Sequence, residues 1–191
     1  MAEPKELNWF PDQCISQAEY EESFSTDLLV RGEATSHYIH YLDQIHKVYP
    51  GIKLIIAVRN PIKQFVSALK HWKTIDGQVF DIETIIDDSS SWQLSSCYYK
   101  KILMRVAEFG FPYYLVNFNQ LVNDQQTVWD GIADFLGVSH WNAPYYIHAN
   151  SSKPDDIVLT KEQIAKFNYW CFSSVRFLKE NHGIDFTVDL L

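Results

Sequence analysis

The stretch Leu54-Ile-Ile-Ala-Val58, closed by Arg59-Asn60-Pro61, constrains the fold of this chain more than any other. Five consecutive apolar residues without polar alternation describe a strand buried on both faces. Directly after it, Ile62, Phe65, Val66, Leu69 and Trp72 recur at helical spacing. A strand buried on both sides belongs to a parallel sheet with helices packed over it. Two further apolar runs, Leu28–Val30 and Tyr113–Phe118, read as strands of the same kind, each followed by a segment of helical period. The spacing predicts helices over His37–Val48, Pro61–Trp72, Trp92–Phe109, Gln125–Leu136 and Lys161–Asn181. Gly137 is a plausible C-cap for the fourth; Thr160 and Gln163 stand in capping-box spacing at the start of the fifth, which stops before Gly183. The polar cluster Asp87–Ser91 reads as a loop between helices. Strand–helix alternation of this kind predicts an α/β fold, a parallel sheet flanked by helices.

At 191 residues, with 47% apolar and 21% charged side chains, the chain has the material for one well-packed domain spanning 1–191, and global disorder is excluded. Sixteen basic against 24 acidic residues leave a net charge of −8, which makes a general nucleic-acid binder or an anionic-membrane binder a poor reading. A local basic pocket for one phosphate remains compatible with it. No apolar run approaches the ~18–20 residues of a membrane span, and Met1–Phe10 has no signal-peptide core. Cys14, Cys97 and Cys171 are odd in number and far apart, which suits reduced thiols and a cytoplasmic protein by default. Glu33, His37 and His40 would face one metal ion only if helical, and no metal is implied.

The chemistry concentrates where the first long strand ends. Asn60 can cap the next helix, and Pro61 suits its first turn. A helix N-terminus at the C-terminal edge of a parallel strand offers free N–H groups and a positive dipole end to an anion. Arg59 supplies a planar fork for phosphate oxygens, while Lys63, Ser67 and Lys70 share the flank away from the apolar stripe. A capped helix with a solvated basic face, and an arginine paired to a neighbouring carboxylate, accounts for the same residues.

Arg59-Asn60-Pro61 with Ser67 eight residues after the arginine resembles the 3′-phosphate-binding motif of sulfotransferases that use 3′-phosphoadenosine 5′-phosphosulfate (PAPS). Lys5-Glu6-Leu7-Asn8-Trp9-Phe10 resembles that family's Lys-Glu-x-x-Phe-Phe segment, and Gly32–Tyr38 its Gly-Glu-Lys/Ala-Thr/Ser-Pro-Ser-Tyr segment. Leu115–Leu121 and Phe135-Leu136-Gly137 are similar to its late strand and closing Phe-Leu-Gly. The likeness spans roughly residues 5–185 and is strongest to the carbohydrate sulfotransferases and their bacterial relatives. It implies a nucleotide-kinase-like fold of the P-loop type in which Arg59 and Ser67 grip the 3′-phosphate of PAPS. Glu6 is implied as the base that takes the acceptor's proton, with His71 and His37 as weaker candidates. Lys153, in a segment resembling a loop over the 3′-phosphate end, adds a charge. Tyr98 falls where the family starts a helix near the nucleotide, and core or rim packing suits it better.

The departures are specific. Family members carry a loop with a lysine and two Thr/Ser, after the first strand, that holds the 5′-phosphosulfate. This sequence begins at the Lys-Glu segment, and its seven glycines form no Gly-x-x-x-x-Gly-Lys-Ser/Thr loop. Ala34 stands where some members have a catalytic-site lysine, and Gln64 where an arginine is common. The expectation is a sulfotransferase domain truncated before its phosphate loop and first strand, inactive as it stands. Its reaction would move a sulfuryl group from PAPS to a hydroxyl or amine of a sugar or small molecule. The other reading is a non-catalytic remnant that binds a 3′-phosphonucleotide or a protein. Acceptor loops are expected around 74–95 and 138–150, and the sequence leaves acceptor and oligomeric state open.

Overall fold

Two strands and the turns that follow them organise the molecule. The computed structural model describes residues 6–10, 12, 14–25, 27–76, 81–142 and 157–187. Helix α1 spans Gln17–Glu22, a 3₁₀ turn covers Ser36–His40, and α2 runs Leu42–Val48. Strand β1 (Leu54–Val58) leads into α3 (Pro61–Asp76), followed by α4 (Ile82–Asp87), α5 (Trp92–Ser95) and α6 (Tyr99–Glu108). Strand β2 (Tyr113–Asn117) leads into α7 (Phe118–Asn123) and α8 (Gln125–Leu136), and α9 (Lys161–His182) follows.

β1 and β2 pair in parallel, with Leu54 opposite Tyr113 and Val58 opposite Asn117. Alternation along the strands divides the sheet into two faces. Leu54, Ile56 and Val58, with Tyr113 and Leu115, face one side; Leu103 of α6 and Val175 and Leu178 of α9 cover all but Leu54, which packs with the cluster of Val106 and Phe111. Tyr114 and Val116 face the other, packed against Val128 and Ile132 of α8. The helix-covered parallel pair is the α/β arrangement expected. On the α8 side only β2 is covered among the described residues, and Ile55 of β1 is 46% exposed.

A second core joins α3 to α9. Phe65, Leu69, Ile86, Leu94, Phe167 and Cys171 are all fully buried there, with the Phe65 and Phe167 rings 4.9 Å apart. All three cysteines are free thiols, Cys97 and Cys171 inside this core and Cys14 exposed. Helix α9 opens on the Thr160–Gln163 capping box and closes on Gly183 in the left-handed region, and α8 closes on Gly137 in the same way. Lys53 Nζ reaches the carbonyls of Phe135 (2.6 Å) and Leu136 (3.3 Å), a cation placed against the negative end of α8.

Some expectations need correction. Leu28–Val30 is not a strand: its backbone forms no regular element, and Leu28 and Leu29 are 63% and 94% exposed. The helix expected over Trp92–Phe109 breaks at Ser96–Tyr98, where Cys97 turns fully inward and its thiol meets the Pro61 carbonyl at 3.5 Å. The helix expected over His37–Val48 is a 3₁₀ turn and an α-helix divided at Tyr41. No helix among the described residues is long and apolar enough to cross a membrane.

The approach of α8 to β2 depends on Gly131. A Cβ built there would collide with the end of the Tyr114 ring, which lies between strand and helix. Gly131→Ala is therefore expected to cost about 1–3 kcal/mol by forcing that ring or the helix aside. Urea denaturation measures this, and unchanged stability would mean the ring swings clear.

Candidate anion-binding site at the strand ends

The register explains how the site assembles. Because Val58 stands opposite Asn117, the next residues, Arg59 and Phe118, emerge side by side at the C-terminal edge of the sheet. The Arg59 guanidinium lies over the Phe118 ring, 4.7 Å from its centroid, within cation–π range. Asn117 Oδ1 accepts the Asn119 N–H at 3.0 Å, so it caps α7 and Phe118 becomes the first helical residue rather than the strand end expected. Arg59 is half-buried, and no carboxylate pairs with its guanidinium among the described residues. The alternative of an arginine neutralised by a neighbour is therefore not what these residues show.

On the other side of Arg59, α3 begins. Asn60 Oδ1 accepts the Lys63 N–H at 2.9 Å, which is the N-cap expected, with Pro61 in the first turn. Asn60 is 1% exposed and its Nδ2 has no partner, so a buried donor is left unsatisfied beside the helix N-terminus. A guanidinium, a buried amide donor and the positive end of a 16-residue helix here meet at one strand edge. Such a set fits an oxyanion. Ser67 lies two turns into α3, half-buried, on the flank opposite the fully buried Phe65 and Leu69. Lys63 is exposed on the same helix.

Tyr99, rather than its neighbour Tyr98, completes the frame. The Tyr99 hydroxyl accepts the Arg59 N–H at 3.2 Å and donates to the Arg59 carbonyl at 2.9 Å. Burial pushes its phenol well above the usual tyrosine range, so the hydroxyl keeps its proton. Tyr98 instead packs against the α3–α9 core, its hydroxyl unpartnered and pushed up to about 12 by burial. That environment is the core packing expected of Tyr98. A cavity of about 410 Å³ runs beside β2, lined among others by Leu115, Asn117, Gln120 and His182. Its Asn117 end is one residue from Phe118, and Arg59 is outside its lining.

Glu6 belongs to a separate construction. Its side chain is exposed, and its carbonyl accepts the Asn8 side-chain amide at 3.2 Å. The segment after it is latched to residues 33–38. Glu33 accepts the Leu7 N–H at 3.0 Å, the Thr35 hydroxyl at 2.6 Å and the Tyr20 hydroxyl. Tyr38 Oη accepts the Trp9 N–H at 2.6 Å, and Asn8 takes a positive φ of 52° between these anchors. Trp9 and Phe10 are thereby buried against Leu42 and Ile45 of α2. Burial, then the bond to Glu33, drives the Tyr20 phenol upward. Glu33, a metal-ligand candidate with His37 and His40 if helical and part of the Gly32–Tyr38 segment, spends its carboxylate on this latch. His37 Nε2 lies 3.3 Å from the Phe10 carbonyl, and no group of three side chains is placed to hold a metal among the described residues. No hydrogen bond, ion pair or ring contact joins Glu6 to Arg59 or Ser67 among the described residues. His71 is exposed on α3. Lys153 lies outside the described residues, as do parts of both expected acceptor loops.

A family model described as the sulfotransferase family matches residues 3–143. Among solved structures, a crystal structure of a sulfotransferase from Alicyclobacillus acidocaldarius matches with a TM-score of 0.64 at 18% identity. The alignment covers 91% of this chain and 73% of that one. At that identity the likeness speaks for the fold, which is that of a sulfotransferase. A comparison with curated protein sequences gave no match.

Proposed function

Because this chain belongs to the sulfotransferase family, we propose that it binds PAPS by its 3′-phosphate at Arg59 and Ser67 and serves sulfuryl transfer to a hydroxyl or amine of a sugar or small molecule. Family and fold support the transfer of a sulfuryl group. The observation that carries the donor assignment is the Arg59 guanidinium, laid on Phe118 beside the α3 N-terminus with no carboxylate partner among the described residues. When bound, PAPS supplies the sulfuryl group. Arg59 and Ser67 would hold its 3′-phosphate, Lys153 would add a charge by its resemblance to the family's loop, and Glu6 would take the proton of the acceptor. The charge of −8 disfavours a highly sulfated polymer as acceptor and suits a neutral sugar or small alcohol. The free thiols suit a reducing, cytoplasmic setting.

A second reading is a module that binds a 3′-phosphonucleotide without turnover. Both readings share the grip at Arg59 and Ser67 and separate on a turnover assay with PAPS.

Calorimetric titration with 3′,5′-adenosine bisphosphate tests the grip itself. A saturable heat is expected, with adenosine 5′-monophosphate, which lacks the 3′-phosphate, binding at least about tenfold more weakly. No heat with the bisphosphate, or equal affinity for the two nucleotides, overturns the assignment.

A further inference from the structure

We propose that Tyr99 is a positioning residue that presets Arg59 for the anion, an inference that rests on the reading of Arg59 given above. Arg59 stands between two regular elements, past the last paired residue of β1 and ahead of the first turn of α3. Its main-chain N–H and C=O therefore belong to neither ladder and need other partners. One hydroxyl serves both: Tyr99 Oη accepts from the N–H at 3.2 Å and donates to the C=O at 2.9 Å.

That hydroxyl is itself held rigidly. Tyr99 is the first residue of α6 and 4% exposed, its ring packed with Val58, Leu103, Val175 and Leu178. The clamp thus ties the strand end to α6 and, through the shared core, to α9. At its far end the Arg59 side chain rests on Phe118. With its main chain fixed by Tyr99 and its guanidinium by Phe118, the side chain retains little freedom to lose when an anion arrives. Less freedom lost on binding appears as affinity. Tyr99 does this without touching the ligand, and its effect is confined to the group that Arg59 contacts.

Tyr99→Phe keeps the buried ring and removes both bonds to Arg59. Affinity for 3′,5′-adenosine bisphosphate is expected to fall roughly tenfold, while the weaker affinity for adenosine 5′-monophosphate stays within about twofold. A general loosening of the fold would weaken both nucleotides together, so equal losses overturn the proposal, as does an unchanged bisphosphate affinity. A second measurement needs no variant. In the unsubstituted protein without nucleotide, amide exchange at Arg59 is expected to be slow, since the clamp is already made. Fast exchange that slows only with bisphosphate overturns the presetting. If the unsubstituted protein binds no bisphosphate, the reading of Arg59 fails and this inference with it. If Arg59→Ala abolishes binding while Tyr99→Phe leaves it intact, this inference alone fails.

Discussion

Arg59→Ala is expected to leave the protein folded and to cut its affinity for 3′,5′-adenosine bisphosphate by at least about 100-fold, since each charge-assisted bond to a phosphate is worth about 1.5–3 kcal/mol. The folded state should tolerate the change because the guanidinium pairs with no carboxylate among the described residues, so its removal orphans no buried charge there. What the free protein loses is the stacking on Phe118, about 0.5–1 kcal/mol at a half-exposed site. The Tyr99 clamp survives, because it holds main-chain atoms that alanine also has. Loss of binding with a nearly unchanged thermal midpoint is therefore the signature. An alanine variant that binds within threefold of the original places the phosphate elsewhere and removes PAPS from the assignment.

The largest effect on stability is expected from Phe167→Ala. The Phe167 ring meets Phe65 at 4.9 Å with an interplanar angle of 38°, both fully buried among Leu69, Leu94 and Cys171. Truncating a buried phenylalanine removes its transfer energy and leaves a cavity, a cost of about 3–5 kcal/mol. Total stability for a domain is about 5–15 kcal/mol, so much of the margin goes. A chain of this size should lose roughly 10 °C in thermal midpoint, readable by calorimetry or by the urea midpoint. A loss below about 1 kcal/mol would mean that α9 is not packed on α3 as described.

Local features were legible in the sequence and tertiary ones were not. The Thr160–Gln163 box, the glycine caps at 137 and 183 and the Asn60 cap are each written within four residues, and the structure has them all. β1 was legible because five apolar residues end at a polar turn. Leu28–Val30 has the same apolar character, but a strand also requires a neighbour to pair with, and no three-residue run reports that. The break before Tyr99 is not legible because the helical period passes straight through Ser95–Tyr98, and it is tertiary packing, with the thiol on the Pro61 carbonyl, that holds Cys97 inward. Within the site, Arg59 and Asn60 were readable from the strand-to-helix junction that contains them. Phe118 and Tyr99 were not, since one reaches Arg59 through strand register and the other through the docking of α6. Glu33 was visible as an acid but not as an acceptor, because its partners Leu7 and Tyr20 lie on other segments.

The parallel register that sets Arg59 beside Phe118 has an experimental corollary. Arg59 and the Phe118 ring beneath it are distant in the chain and meet only once both strands have paired, so a peptide carrying Arg59-Asn60-Pro61 and Ser67 alone owns the motif without the geometry. The proposed nucleotide recognition would then belong to the native ensemble and not to its unfolded fragments. Bisphosphate is therefore expected to raise the melting temperature in step with its concentration, which makes a simple thermal-shift screen of phosphorylated nucleosides a direct route to the preferred ligand.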